Sequence, residues 1–336
     1  MIRIAFLAAT LLAGAASAQG PDPFIPPNHP LYGIPLFRYT LPLHYARSLP
    51  VAGPEAAPVN PARLLDAPHW FSQIGTSGGG RVSVTQTSLG IAYPGRAAIG
   101  MTLFALNGSA TGTNAVFHEQ RGALQAAAGM PLGTKGGRIA IGYAYVERMV
   151  DAWNIYRASA STHDLGLVWQ AAPMANGWKT DLGLALKDLD PIDGDIPDTL
   201  GLAHRYRLYR PNADLALRLV TPTGSGAAWI TFVAESRKAT YDKYGPVLHP
   251  GPGIGGPGFD ASIHRYGGSF RLWRALTLRL ENLGFDVWQT GATLDAGRWL
   301  PWRLEADAAL SRGYYFAYAR PLESGWTGAW TLRGGW

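Results

Sequence analysis

Three observations predict one fold class. Short segments of period-two alternation recur from about Arg81 to Trp336. No later stretch holds the apolar run that a membrane helix needs, and glycine and aromatic residues are abundant. The class is all-β: a closed antiparallel transmembrane β-barrel of approximately 12–14 strands. In a strand, successive side chains point to opposite faces. Arg303 to Ala308 shows the pattern, with Leu304, Ala306 and Ala308 on one face and Arg303, Glu305 and Asp307 on the other. A wall with one oily and one wet face crosses a bilayer only when closed, because an open edge leaves backbone polar groups unbonded in hydrocarbon.

The chain divides into three parts. Arg3, the apolar run Ile4 to Ala13 and the small triplet Ala16-Ser17-Ala18 form a secretory signal, so residues 1–18 are expected to be removed. Gln19 would then be the first residue. With no cysteine in the chain there is neither a lipid attachment point nor a disulfide framework.

Residues 19–80 read as a proline-rich periplasmic extension or plug. Pro21-Asp22-Pro23 and Pro26-Pro27 exclude a regular helix or a central strand. Phe24, Ile25, Leu31, Tyr32, Ile34, Leu36 and Phe37 still give the segment apolar material. It is thus either a flexible leader or an ordered piece at the periplasmic mouth or in the lumen. Ser77 to Gly80 reads as the turn before the first strand.

Residues 81–336 form the barrel. Strands are expected at 81–93, 96–106, 121–130, 137–147, 156–170, 178–187, 200–210, 213–221, 227–237, 267–274, 276–285, 302–310, 312–320 and 325–336. Ile139, Ile141, Tyr143 and Tyr145 line one face of their segment, while Arg138, Ala140, Gly142 and Ala144 line the other. Leu182, Leu184 and Leu186 alternate with Asp181, Gly183 and Ala185. Leu215, Leu217 and Leu219 face away from Asp214 and Arg218, and Leu276, Leu278 and Leu280 oppose Thr277, Arg279 and Glu281.

Trp326, Trp330 and Trp336 belt the last strand, with Leu332 in the same parity. Through these terminal residues and the strand series, residues 81–336 resemble bacterial outer-membrane β-barrels as a broad class. That resemblance implies residence in the outer membrane of a Gram-negative bacterium, contact with its lipids, and insertion by the barrel-assembly machinery. Trp330, Leu332 and Trp336 would be the residues which that machinery reads. Gly334-Gly335 interrupts the alternation just before the end.

Composition narrows the function classes. With 42 Gly, 12 Trp, 15 Tyr and only 15% charged residues, the chain suits turns and interfacial belts rather than a soluble mixed fold. Its formal charge of +6 favours anionic solutes, polysaccharide or lipid phosphates. Nucleic acid is excluded as a partner by the lack of a polybasic helix or RNA-binding signature.

Basic and aromatic residues interleave at Arg205 to Arg210. Inward parity nominates Arg138, Arg205, Arg207, Tyr209, Arg218 and Arg279 as ligand-binding residues. Arginine grips anions through a planar donor fork, and aromatic faces stack on sugars. The expected function is a channel for polar, anionic or saccharide-containing solutes. Two alternatives are a structural or accessory barrel for envelope polymer export and an outer-membrane lipid hydrolase. The hydrolase would pair His163 with Ser159 or Ser161, or His264 with Ser262 or Ser269. A nucleophilic serine needs an aligned base and an orienting acid, and no Gly-x-Ser-x-Gly elbow is present, so catalysis is not the favoured reading.

Asp188, Asp190, Asp193, Asp195 and Asp198 form an acidic run that Ca²⁺ could occupy, but it lacks a complete EF-hand pattern and reads as a solvated loop. No metal site and no cofactor are expected. The glycine-rich stretch 241–260 lacks the lysine of a phosphate loop and reads as a loop at the barrel mouth.

Overall fold

The computed structural model describes residues 57, 60–67, 69–73, 74–79, 82–109, 116–133, 136–152, 156–190, 192–197, 203–209, 212–241, 258–273, 275–282, 288–300, 303–317 and 320–335. Pro61–Asp66 is a short 3-10 turn. Sixteen β segments follow it in chain order: β1 Trp70–Gly79, β2 Val82–Tyr93, β3 Ala97–Ser109, β4 Val116–Leu132, β5 Gly137–Ala152, β6 Tyr156–Gln170, β7 Lys179–Lys187 and β8 Ile192–Pro197. Then come β9 Ala203–Tyr209, β10 Asn212–Val220, β11 Gly226–Tyr241, β12 Gly258–Arg271, β13 Leu276–Asn282, β14 Trp288–Asp295, β15 Arg303–Ala317 and β16 Arg320–Gly335.

The segments make a 14-stranded closed antiparallel barrel. The first strand closes on the last: β1 pairs with β2 on one side and β16 on the other, with Ile74 opposite Leu332 and Phe71 opposite Gly335. β7 and β8 are lower and upper halves of one wall strand, since both pair with β6. β9 and β10 likewise both pair with β11. The register against β11 is unchanged from β10 to β9, whereas that of β8 on β6 is shifted by one residue from that of β7. The irregularity therefore lies between β7 and β8, where residues 188–190 act as a bulge. Asp188 adopts a left-handed conformation there, with φ 52°.

Side chains of the neighbouring strand patch the missing rungs at this bulge. Asp188 N–H donates to Asp164 Oδ1 at 2.9 Å and Asp190 N–H to Thr162 Oγ1 at 3.3 Å. His163 N–H donates to Asp190 Oδ2 at 3.0 Å. Backbone polar groups are thereby satisfied where the ladder itself cannot do so.

The alternation read from the sequence sorts the two faces. Leu89, Ile91, Ile99, Leu103, Leu124, Ile141, Leu165, Leu217, Leu280 and Leu294 are exposed on the outer face. Gln86, Ser88, Thr102, Gln125, Asp164, Asp181, Asp214 and Glu281 are buried on the inner one. Large aliphatic side chains presented outward around a closed wall are covered by lipid, because each is worth about 1.5–3 kcal/mol when taken out of water. The protein is an outer-membrane barrel with lipid as its surroundings. Exposed Tyr93, Trp178, Trp273 and Trp299 cluster at the turns on the end that carries both termini of the wall, as an interfacial belt does.

Several boundaries differ from the sequence reading. The wall begins at Trp70, so Ser77, Gly78 and Gly79 extend β1 instead of turning. β14 was not expected, and the spans 302–310 and 312–320 are the single strand β15. The spans 200–210 and 213–221 belong to one interrupted wall strand. A short strand is also readable at Phe37 to Arg47 despite Pro42; that segment, and residues 242–257 of the glycine-rich stretch, lie outside the described residues.

Candidate functional site in the barrel interior

At the end of the barrel nearest the short turns, the 3-10 turn lies across the inner wall. Asn60 caps it, its Oδ1 accepting from Ala62 N–H at 3.1 Å, while its Nδ2 donates to Leu167 O and Leu184 O at 3.2 Å each. Pro61 at the first turn suits this start, where no backbone donor is needed.

The wall beneath is lined by inward glycines on five adjacent strands. A β-carbon at Gly142 would overlap the backbone of Pro61 and Ala62, and one at Gly166 would overlap Asn60. A β-carbon at Gly129 would lie 2.7 Å from Leu65 Cδ1, at Gly100 3.0 Å from Leu64 Cδ1, and at Gly183 3.3 Å from Asn60 Nδ2. Leu64 and Leu65 are fully enclosed and share an apolar cluster with Phe71, Ala127, Ala140 and Val168. Charges finish the attachment. Asp66 pairs with Arg138, which also donates to Leu65 O at 3.2 Å, and Arg63 lies 3.4 Å from Asp66 and 3.7 Å from Asp181.

Beyond the turn, the inner wall is polar and internally matched. Gln86, Ser88, Thr102 and Gln125 form a hydrogen-bonded row across β2, β3 and β4, at 3.1–3.4 Å. Arg121 and Arg148 are direct cross-strand partners and converge on Asp188 at 3.7 and 3.5 Å. Lys187 meets Asp214 at 2.6 Å and Arg333 meets Glu305 at 3.1 Å.

The six nominated residues divide between these surroundings and the upper wall. Arg138 holds the 3-10 turn, as above. Arg218 faces Asp181, its direct partner across β7 and β10, at 3.1 Å. Arg279 lies 3.4 Å from the fully buried Glu281. These three are on inward parity, dispersed around the wall. Arg205, Arg207 and Tyr209 lie on β9, opposite Asp195, Asp193 and Lys238 in backbone register, and their side chains lie outside the described residues. Sequence reading did not single out Arg121, Arg148 or Asp164, and it placed Asp181 and Glu305 on the polar face without assigning them partners. Inward parity was the available signal for them, but their pairing depends on cross-strand register.

The acidic run does not form a loop: Asp193 and Asp195 sit in β8, and among the described residues no group of three potential ligands could hold a metal. Asp198 lies outside the described residues. His163 faces outward, its Nδ1 2.5 Å from Tyr143 Oη and its Nε2 3.7 Å from Asp190 Oδ2. His264 and Ser262 lie on β12, with side chains outside the described residues.

No protein-family model matches the sequence, and no curated protein resembles it at a significant level. Solved structures do share its fold. The monoaromatic hydrocarbon channel CymD superposes with a TM-score of 0.53 at 11% identity, covering 84% of this chain and 93% of CymD. A FadL homologue from Pseudomonas aeruginosa gives 0.51 at 10% identity, covering 86% and 94%. The Pseudomonas putida toluene transporter TodX gives 0.49 at 10% identity. At such identities the likeness is one of fold.

These findings correct the expected function. CymD is a monoaromatic hydrocarbon channel, and the comparison therefore runs against the expected polar-solute channel, polymer-export accessory and lipid hydrolase. The physical reason is local: Arg138, Arg218 and Arg279, taken as an anion-biasing set, each lie against a carboxylate of the same wall.

Proposed function

We propose that this barrel is a passive outer-membrane channel for small nonpolar molecules, with monoaromatic hydrocarbons as the first substrate class to test. The observation that carries the reading is the matching of inward charge. An ionic solute would have to displace existing partners from Arg138, Arg218, Arg279 or Arg121, and breaking a buried pair costs about 3–5 kcal/mol. A nonpolar solute meets no such demand. The fold shared with CymD over most of both chains supports the same class. Export by residues 1–18 and a luminal position for the later part of residues 19–80 belong to this reading. Arg138, Arg218 and Arg279 then maintain the wall instead of gripping a solute.

Uptake of radiolabelled toluene and of radiolabelled benzoate tests this in a Gram-negative host stripped of its own hydrocarbon channels. Expression of the full chain is expected to accelerate toluene entry and leave benzoate entry unchanged. Equal toluene uptake with and without the protein, or faster benzoate entry, would overturn the proposal.

A further inference from the structure

Residues 60–67 are attached to the barrel by three independent means. The first is shape. Five inward glycines, Gly100, Gly129, Gly142, Gly166 and Gly183, leave a shallow saddle across β3 to β7, and the turn fills it to within van der Waals contact. The second is hydrogen bonding: one Asn60 amide donates to carbonyls of two neighbouring strands, β6 and β7. The third is charge, with Asp66 on Arg138 of β5 and Arg63 facing Asp181 of β7.

Pulling the turn away would expose Leu64 and Leu65 and leave Arg63, itself only 3% exposed, to find a new partner. A surface held so continuously behaves as one packed unit, without a loose side to swing from. The turn also leads, after Ala67 and two further residues, into β1, the strand that closes the barrel against β16. Its docking therefore fixes where the closing edge begins.

We infer that residues 60–67 are a permanent inner strap that ties five wall strands together and positions β1 for closure, not a movable barrier to passage. The strap adds to the channel reading without depending on it, because an inert barrel would need the same closure.

The test reads accessibility and assembly and makes no use of transport. The native chain has no cysteine, so a single introduced thiol reports without background. Leu64→Cys places a smaller side chain inside the saddle, and Thr223→Cys on the exposed β10–β11 turn serves as the accessible reference. In outer-membrane vesicles, a small maleimide is expected to label Thr223→Cys within minutes. Leu64→Cys should react at least 100-fold more slowly until the barrel is unfolded in hot detergent. Labelling of Leu64→Cys within tenfold of the reference rate would overturn the inference.

Gly142→Val supplies a second reading through heat-modifiable migration on gels. The strap model expects the folded fraction to fall several-fold, because the strap cannot seat. A folded fraction equal to that of the parent chain would also overturn it.

Discussion

Replacing Gly142 by alanine reverses the usual sign of a glycine substitution. Within a strand, alanine ordinarily gains about 0.5–1 kcal/mol over glycine by restricting the unfolded chain. At this position the added methyl overlaps the Pro61 and Ala62 backbone, which cannot rotate aside as a side-chain tip would. If wall and strap both shift to admit it, overpacking costs about 1–3 kcal/mol. If the strap lifts away, burial of Leu64 and Leu65 is lost at about 1.5–3 kcal/mol each. The two Asn60 hydrogen bonds would go as well, at about 1 kcal/mol apiece. Equilibrium urea unfolding of the refolded barrel in detergent, followed by tryptophan fluorescence, measures the loss. A lifted strap would also lower the denaturant slope, since the folded state would already expose surface. Gly122→Ala is the control, because its β-carbon meets only Leu103 Cδ2 at an ordinary 3.7 Å. A Gly142→Ala barrel as stable as the parent, or more so, would mean that the strap does not rest on this glycine.

Three further perturbations address the charges, the lipid face and the bulge. Asp66→Asn removes the carboxylate facing Arg138 and is expected to cost on the order of 3 kcal/mol, with Asp66→Asn/Arg138→Met recovering more than half, as a urea double-mutant cycle would show. Ile141→Arg puts a charge on the lipid-facing band and should cost about 2–4 kcal/mol in folding into bilayers. Asn107→Arg near the far rim should change it by less than about 1 kcal/mol; similar effects at both positions would contradict the assignment of faces. Asp188→Ala and Asp188→Gly both remove the carboxylate near Arg121 and Arg148, but only alanine bears the left-handed backbone penalty. Alanine should therefore be the less stable by about 1 kcal/mol in thermal or urea unfolding.

Much of the wall was legible because its signal is local. Leu276, Leu278 and Leu280 needed only period-two spacing to be placed on one face, and β6 spans the expected 156–170. β1 and β14 escaped notice for an opposite reason. β1 ends Thr-Ser-Gly-Gly, and β14 carries Gly291 and Ala292 at its centre, so neither shows a run of large outward side chains. The interior was less readable. That Arg218 and Asp181 face inward follows from parity, but that they face each other follows from β7–β10 register, which no single strand encodes. The strap was harder still. Gly142 and Gly183 stood out only as small residues in an alternating pattern, and their purpose appears once five strands bring them level beneath Pro61–Asp66.

The one-residue insertion at Asp188 bears on how this family of shapes can vary. An extra residue in a ladder would ordinarily turn every following side chain inside out. Here the surplus is absorbed locally by Asp164, Thr162 and Asp190, and pairing resumes beyond it at Asp193 to Asp195. The cylinder can thus grow taller on the side of β8 and β9 while its girth stays constant. Diversification of the outward-reaching rim is uncoupled from the geometry that keeps the tube sealed.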